Sequence, residues 1–387
     1  MKNIAVITVA RSDYSILRPI LNEIEKSNVL NLVLYVTGMH LSSEYGLTDN
    51  EITDDGFSIA KRIEILDESN SPVGIAKSIS NGVLKFSEIY SKSQPDFLLV
   101  MGDRFEMYAA SIAAIPFNIP IAHIHGGEVS FGAFDEVIRH SITKLSHLHF
   151  VSTEEYYKRV IQLGEEPWRV TICGAPALDN LNNISLLTMN DLSKKYSLEI
   201  NEPPIVVTFH PTTREFKNTK DDTIALLDAL MITGKNIIFT YPNADTKSKI
   251  IIELIDNFCT KNKQSKAIRS LGPLDYYSLL NHAEMMVGNS SSGIIEAASF
   301  KLPVVNIGNR QKGRACGKNV IHSSNDKNDI LNAINKASTL EFRDSIKEIS
   351  NIYSQKNSAK KIIKKIIETK IDNNFISKKF HDINFTI

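Results

Sequence analysis

The chain has 387 residues, too many for one compact core, so two domains are the natural expectation. Hydrophobic residues make up 42% and charged residues 23%, an ordinary globular balance, and a formal net charge of +0 offers no overall field to a nucleic acid or an anionic membrane. Cys173, Cys259 and Cys316 are odd in number and form no CxxC pair, which argues against a disulfide framework or a zinc site.

In chain order, the apolar stretch Ile4–Val9 meets Arg11 and Asp13 at once, too early for a signal peptide. No stretch approaches the roughly eighteen apolar residues of a membrane span, so the expected location is the cytoplasm. Ile4–Val9, Leu32–Val36, Phe97–Met101, Ile119–Ile124 and Leu148–Val151 lack polar alternation and read as strands buried on both faces. Between them, Ser15–Glu25, Ile75–Tyr90, Glu106–Pro116 and Val137–Leu145 have helical spacing. That alternation predicts a doubly wound parallel sheet. After a polar, weakly patterned stretch around Ser185–Pro204 the rhythm restarts. Strands are predicted at Ile205–Phe209, Asn236–Thr240, Lys266–Ser270, Met285–Gly288 and Pro303–Ile307. Helices are predicted at Asp222–Leu230, Ser248–Phe258, Tyr276–His282 and Gly293–Phe300. The fold class is α/β, two Rossmann-like halves, with ligands expected at strand carboxyl ends in an interdomain cleft. The tail past Leu340 is helical, and its Lys360, Lys361, Lys364 and Lys365 read as a solvated face.

The strand-end loops hold the chemistry. Ala10-Arg11-Ser12-Asp13-Tyr14-Ser15 offers N–H groups and a guanidinium to an anion, or simply caps a helix with Ser12 or Asp13. Gly102-Asp103-Arg104 puts a carboxylate at a strand end. His123-Ile124-His125-Gly126-Gly127-Glu128, followed by Asp135-Glu136 and Arg139-His140, is the densest titratable cluster, suited to acid–base work. His123 reads equally as a core histidine, and too few partners accompany His123 and His125 for a metal site. In the second half His210 and Tyr241-Pro242-Asn243 end strands. Gly288-Asn289-Ser290-Ser291-Ser292-Gly293 runs a strand into a helix start, a place for a diphosphate, with Glu296 one turn on and Arg310, Lys312 and Arg314 beyond. No GxxxxGK[ST], GxGxxG or GxSxG is present, which argues against a P-loop enzyme, a dinucleotide oxidoreductase and an α/β-hydrolase.

Taken in order, these segments, with Thr37-Gly38-Met39-His40, Ile138-Arg139-His140-Ser141-Ile142-Thr143-Lys144 and Arg310-Gln311-Lys312-Gly313-Arg314, resemble the hydrolysing UDP-N-acetylglucosamine 2-epimerases of sialic-acid biosynthesis. The likeness runs to about residue 370. It implies a glycosyltransferase-B-like fold: an N-terminal domain over 1–175, a UDP-binding domain over 176–365 and a segment, 366–387, packing back on the first. It also implies a homodimer, a UDP-sugar substrate, and neither metal nor nicotinamide cofactor. The implied reaction eliminates UDP to a 2-acetamidoglycal and hydrates it, giving N-acetylmannosamine from UDP-N-acetylglucosamine. A sibling activity on UDP-N,N′-diacetylbacillosamine, feeding legionaminic acid, is the alternative, and a glycosyltransferase of the same fold the remoter one. Carried over by position, Asp103, Glu128, Asp135 and His125 are the acid–base candidates. Arg11, Ser15, Arg104, His210, Asn243, Ser290, Ser291, Ser292, Gly293, Glu296 and Arg314 are the substrate-binding ones. Some members have Glu where this chain has His125, which leaves the division into acid and base open.

Overall fold

A computed structural model describes residues 1–383 other than 44–45, 68, 70, 130–134, 199–201, 212–217, 243–246 and 270, and of 182–183 the backbone only. Its strands form two sheets, parallel throughout. The first orders its seven strands β3-β2-β1-β4-β5-β6-β7. These are β1 (Lys2–Thr8), β2 (Leu30–Thr37), β3 (Ile59–Ile63), β4 (Phe97–Met101), β5 (Ile121–Ile124), β6 (Leu148–Val151) and β7 (Val170–Ile172). The second has six strands, β10-β9-β8-β11-β12-β13. They are β8 (Ile205–Thr208), β9 (Ile237–Thr240), β10 (Ser265–Ile268), β11 (Met285–Gly288), β12 (Val304–Ile307) and β13 (Val320–Ser323).

The continuous apolar runs are explained by cover on both faces. Ile4 and Val6 of β1 join one core with Leu34, Phe97 and Leu99, while Ala5 and Ile7 join another with Tyr35, Leu98 and Val100. The second sheet repeats this: Val207, Phe239 and Val287 face one core, Val206, Ile238 and Met286 the other. Successive side chains of a strand point to opposite faces, so both parities must be apolar where helices cover both.

The chain forms two compact units, one of Met1–Glu128, Asp135–Asp179 and Gln355–Ile387, and another of Val129–Phe134 and Asn180–Ser354. The return to the first unit thus starts at Gln355, ahead of residue 366. Its anchor is the helix Ser358–Glu368, which buries Ala359, Ile362, Ile363 and Ile366 in the core shared with the helix Arg11–Glu25. Spacing of three, four and seven residues puts these on one stripe, and Lys360, Lys361, Lys364 and Lys365 fall outside it. Both helix ends are satisfied from the same unit. Asp179 accepts the Ser358 and Ala359 N–H groups at 3.0 and 2.7 Å. Lys2 Nζ donates to the Ile366, Ile367 and Thr369 carbonyls at 3.1, 3.1 and 2.7 Å. Beyond the helix, Glu165 accepts from Lys144, His149 and Lys378 at 2.6, 2.9 and 2.7 Å. Burial alone would raise its pKa, yet these partners bring it down to about 2.

Among the described residues no helix is long and apolar enough to cross a membrane.

Ile362 is 0% exposed. Ile362→Ala should cost about 2–5 kcal/mol in denaturant unfolding, and a loss under 1 kcal/mol would show that this helix does not secure the first unit.

Candidate active site

In each sheet the strand order reverses once, between β1 and β4 and between β8 and β11, and chains leaving two such neighbours turn to opposite faces. The loops after those four strands carry Arg11, Ser15, Asp103, Arg104, His210, Ser290, Ser291 and Ser292, while His125, Glu128 and Asp135 follow the neighbouring β5 and Arg314 follows β12.

After β1 the chain enters the helix Arg11–Glu25 with Ala10 as N-cap, so neither Ser12 nor Asp13 is the cap residue itself. Asp13, inside the first turn, reaches back instead. Its carboxylate accepts the Val9 and Ala10 N–H groups at 2.8 and 2.6 Å and the Thr8 hydroxyl at 3.1 Å. Those two N–H groups therefore serve the turn. Burial raises the Asp13 pKa, against the pull of these bonds. Arg11 Nε pairs with Glu51 at 3.0 Å near the surface, and Ser15 Oγ donates to the Ser12 carbonyl at 3.0 Å. His40, fully buried, bonds Thr8 through Nε2 at 2.9 Å and Thr48 through Nδ1 at 2.7 Å, and burial pushes its pKa down to about 4. Arg104 Nε stands 3.9 Å from Glu106 Oε2. Glu106 is 1% exposed, its pKa is raised by burial, and Oε2 has no hydrogen-bond partner among the described residues.

Beside this turn the acid–base candidates gather around Arg139, on the helix Asp135–Leu145. Its guanidinium pairs with Asp103 and donates to the His125 carbonyl at 3.1 Å, tying the loop after β4 to the loop after β5. His125 Nδ1 and Glu128 Oε1 are 2.6 Å apart, and the same oxygen accepts the Ser152 hydroxyl at 2.9 Å. Asp135, one turn before Arg139, has its pKa pushed up to about 7, first by burial and then by the Asp103 charge, with Arg104 and Arg139 opposing. Burial and the neighbouring carboxylate thus both favour the protonated form of Asp135. Glu136 pairs with His140 at 3.2 Å on the same helix. His123 is the core histidine: it is 0% exposed, bonds the Gly102 carbonyl at 2.7 Å and Thr143 at 3.2 Å, and burial brings its pKa down to about 3. With both its ring nitrogens engaged, it forms no ligand pair with His125. Among the described residues no group of three or more His, Cys, Asp or Glu is placed to hold a metal ion.

The second unit is organised by Asn289, 1% exposed, just past β11. Its side chain accepts the His210 N–H at 2.7 Å and donates to the His210 carbonyl at 2.9 Å, clasping the loop after β8. Its own carbonyl accepts from Arg310 at 3.0 Å and Gln311 at 2.9 Å. Gly288, φ +137°, allows the approach: a Cβ there would lie 2.0 Å from the Thr208 carbonyl oxygen. His210 is buried, and burial followed by the Arg310 charge holds its pKa well below the ordinary value, so it presents a neutral ring. Ser290 caps the next helix, accepting the Ser292 N–H at 3.3 Å, and Ser292 accepts the Tyr276 hydroxyl at 2.7 Å. That helix, Ser291–Ile295, is short and passes into a tighter turn, Ala297–Phe300, so it brings a smaller dipole than the predicted span Gly293–Phe300. Gly293 is buried against Val304, and Glu296 lies at the end of the helix, where its charge reaches Tyr276 and Tyr277. Arg314 Nε donates to the Val129 carbonyl at 3.3 Å.

Asp103, His125, Glu128 and Asp135 are brought together, as are His210, Ser290, Ser291, Ser292 and Gly293. Arg11 and Ser15 are engaged within their own turn and with Glu51. Asn243 lies outside the described residues, as do Thr212, Thr213, Arg214 and Asp245. Sequence reasoning missed the organisers Arg139, Ser152, Asn289 and Tyr276. Arg139 and Asn289 stood in quoted motifs, but nothing in their neighbours announced what they bridge.

The architecture matches a crystal structure of the UDP-GlcNAc 2-epimerase of Neisseria meningitidis bound to UDP-GlcNAc, with a TM-score of 0.83 over 95% of this chain and 100% of that one at 18% identity. The glycosyltransferase-B-like class of two parallel α/β units expected from the sequence is therefore the observed one. The family model for UDP-N-acetylglucosamine 2-epimerase matches residues 22–367, and the chain belongs to that family. It is 38% identical to the GDP/UDP-N,N′-diacetylbacillosamine 2-epimerase (hydrolyzing) of Campylobacter jejuni, over 99% of both chains. It is likewise 38% identical to the polysialic acid biosynthesis protein P7 of Escherichia coli, over 99% of this chain and 98% of that one.

Asn289→Ala strips two hydrogen bonds from the buried His210 backbone and should lower stability by about 2–3 kcal/mol, read by thermal unfolding. An unchanged midpoint would show that Asn289 does not hold this loop. For Asp135 the folded-state pKa lies above the ordinary one, so its neutral form favours the fold. The stability it contributes is present below pH 3.8 and is lost as pH rises through about 7. Asp135→Asn should flatten the decline in unfolding free energy across that window. An equal slope in the variant would mean that Asp135 titrates normally.

Proposed function

We propose that the protein is a hydrolysing 2-epimerase acting on a UDP-linked 2-acetamido sugar. It eliminates UDP across C1–C2 to a 2-acetamidoglycal, then hydrates the glycal to the free 2-epimer. The observation that carries this reading is the cluster held by Arg139, in which a proton-bearing Asp135 lies beside an ion-paired Asp103 and a carboxylate-bound His125.

A C2 proton is poorly acidic, so a base must be held against it while UDP leaves, and a separate acid must deliver the new proton from the other face. A carboxyl group pushed toward its protonated form, with a separate basic group near it, suits that task. The His125–Glu128 pair takes the C2 proton. The C–H electron pair becomes the C1–C2 double bond, and UDP departs with the C1–O pair. In hydration, water supplies hydroxyl to C1, Asp135 delivers a proton to C2, and the carboxyl pair recovers its proton from that water. The proton on His125 passes to solvent.

The second unit supplies the leaving-group contacts. Arg310, Arg314, Ser290, Ser291, Ser292, Gly293 and the neutral ring of His210 are assigned to the diphosphate, and Glu296 to the ribose. N–H and cationic donors aimed at a departing diphosphate lower the barrier because its charge develops in the transition state. Arg11, Ser15 and Arg104 complete the assignment from the first unit. The sugar is UDP-N-acetylglucosamine, giving N-acetylmannosamine for sialic-type acids, on the strength of the family description. The second reading, UDP-N,N′-diacetylbacillosamine, is favoured by the name of the Campylobacter jejuni relative. A homodimer in the cytoplasm belongs to the same reading.

The test is an NMR time course in D₂O with each sugar nucleotide in parallel. Free manno-configured sugar carrying deuterium at C2, together with UDP, is the expected product, and the faster sugar names the substrate. Absence of UDP release from both would refute the reading, and a glycoside formed with added acceptor would replace it with a transferase.

A further inference from the structure

His125 has φ +62°, a left-handed backbone that a non-glycine residue adopts at some cost. The conformation is fixed on both sides: the His125 N–H donates to the Phe150 carbonyl at 3.0 Å, and its carbonyl accepts from Arg139 at 3.1 Å. The ring is fixed as well. Glu128 Oε1 lies 2.6 Å from Nδ1, and Ser152, immediately after β6, donates to that same oxygen at 2.9 Å. Glu128 is 2% exposed and Ser152 0%, against 7% for His125, so burial deepens from the imidazole through the carboxylate to the hydroxyl.

Resting on the epimerase reading, we propose that Glu128 is a positioning residue that acts through His125, that Ser152 positions Glu128 in turn, and that His125 Nε2 is the atom that takes the substrate proton. A carboxylate on Nδ1 keeps the proton there and leaves the Nε2 lone pair as the acceptor, and it steadies the imidazolium formed once Nε2 is protonated. Ser152 holds the carboxylate to one rotamer, so the ring cannot turn its other nitrogen outward. The further titratable or charged groups near His125 are Arg139, Asp103 on the far side of that guanidinium, and His123, which burial keeps neutral with a pKa of about 3. None of these three bonds the His125 ring, and Glu128 is the carboxylate in direct contact with it.

The experiment is a double-mutant cycle on UDP release with His125→Gln, Glu128→Gln and the pair, joined to nitrogen-15 NMR of the His125 ring without substrate, which reads the nitrogen that carries the proton. Glu128→Gln should lower kcat by about 10³-fold with little change in KM, and the double variant should be no slower than His125→Gln. The neutral ring should carry its proton on Nδ1 in the wild type and become a mixture of tautomers in Glu128→Gln. Ser152→Ala should lose about tenfold in kcat, with KM held. Losses that multiply in the double variant, or a tautomer unmoved by Glu128→Gln, would assign Glu128 its own contact with substrate and sink the proposal. If the wild-type chain releases no UDP, the epimerase reading fails, while the substrate-free spectrum still decides whether Glu128 governs the ring.

Discussion

A parallel sheet whose strand order reverses must open a crevice at the reversal, because the two neighbouring strands send their chains to opposite faces and no connection covers their carboxyl ends. Each sheet here reverses once, and the polar groups of each unit collect at or beside that point. The cost of the arrangement is that loops leaving in opposite directions have no ladder to hold them together. Long-range polar clasps do so instead. At the β8–β11 reversal Asn289 binds both backbone groups of His210, and beside the first sheet's reversal Arg139 ties the loop after β4 to that after its other neighbour, β5. Both clasps are buried, where a satisfied polar group is rigid and a severed one expensive.

A formal charge of zero leaves the chemistry to local fields. The first unit holds several wholly or partly buried ionisable groups and treats them differently. His40 and His123 are kept neutral by burial, with both ring nitrogens used for structure. Asp103 is compensated by Arg139, while Asp135 lies close enough to feel its charge and is forced toward the protonated form. Similar side chains thus acquire distinct protonation states from their neighbours alone, the condition for moving a proton in two directions at one pH.

The central strands were legible because burial on both faces writes an uninterrupted apolar run. The strands that escaped notice, β3, β7 and β13, all lie at sheet edges. There Lys61 and Arg62 or His322 interrupt the run, or only Val170–Ile172 remains of it, since a single neighbour demands less apolar surface and charge guards the free edge. The helix Met189–Tyr196 fell in a stretch read as weakly patterned, although Thr188 and Asp191 had the spacing of a reciprocal cap, observed at 3.2 and 3.1 Å. At the candidate site, titratable types clustered in sequence pointed to His125, Glu128 and Asp135, and a strand-end position pointed to Asp103. Ser152 and Tyr276 did not show, because a hydroxyl acquires its role only from the acceptor that folding brings to it, and those acceptors lie far along the chain.

That position 125 holds a histidine and not a Glu has a physical rationale in its surroundings. A carboxylate at that position would face Glu128 within a buried loop, and two such groups cannot both ionise. An imidazole turns the repulsion into a hydrogen bond and retains one nitrogen for a further partner. The exchange carries an added requirement: an imidazole has two inequivalent nitrogens, and only one is useful at a time. Glu128 and Ser152 meet it by fixing the ring from behind, and the left-handed backbone of His125, pinned by Phe150 and Arg139, brings Nδ1 to Glu128. The histidine at that position and the buried pair behind it are therefore one feature of the sequence, and replacing His125 by Glu makes chemical sense only with a change at 128.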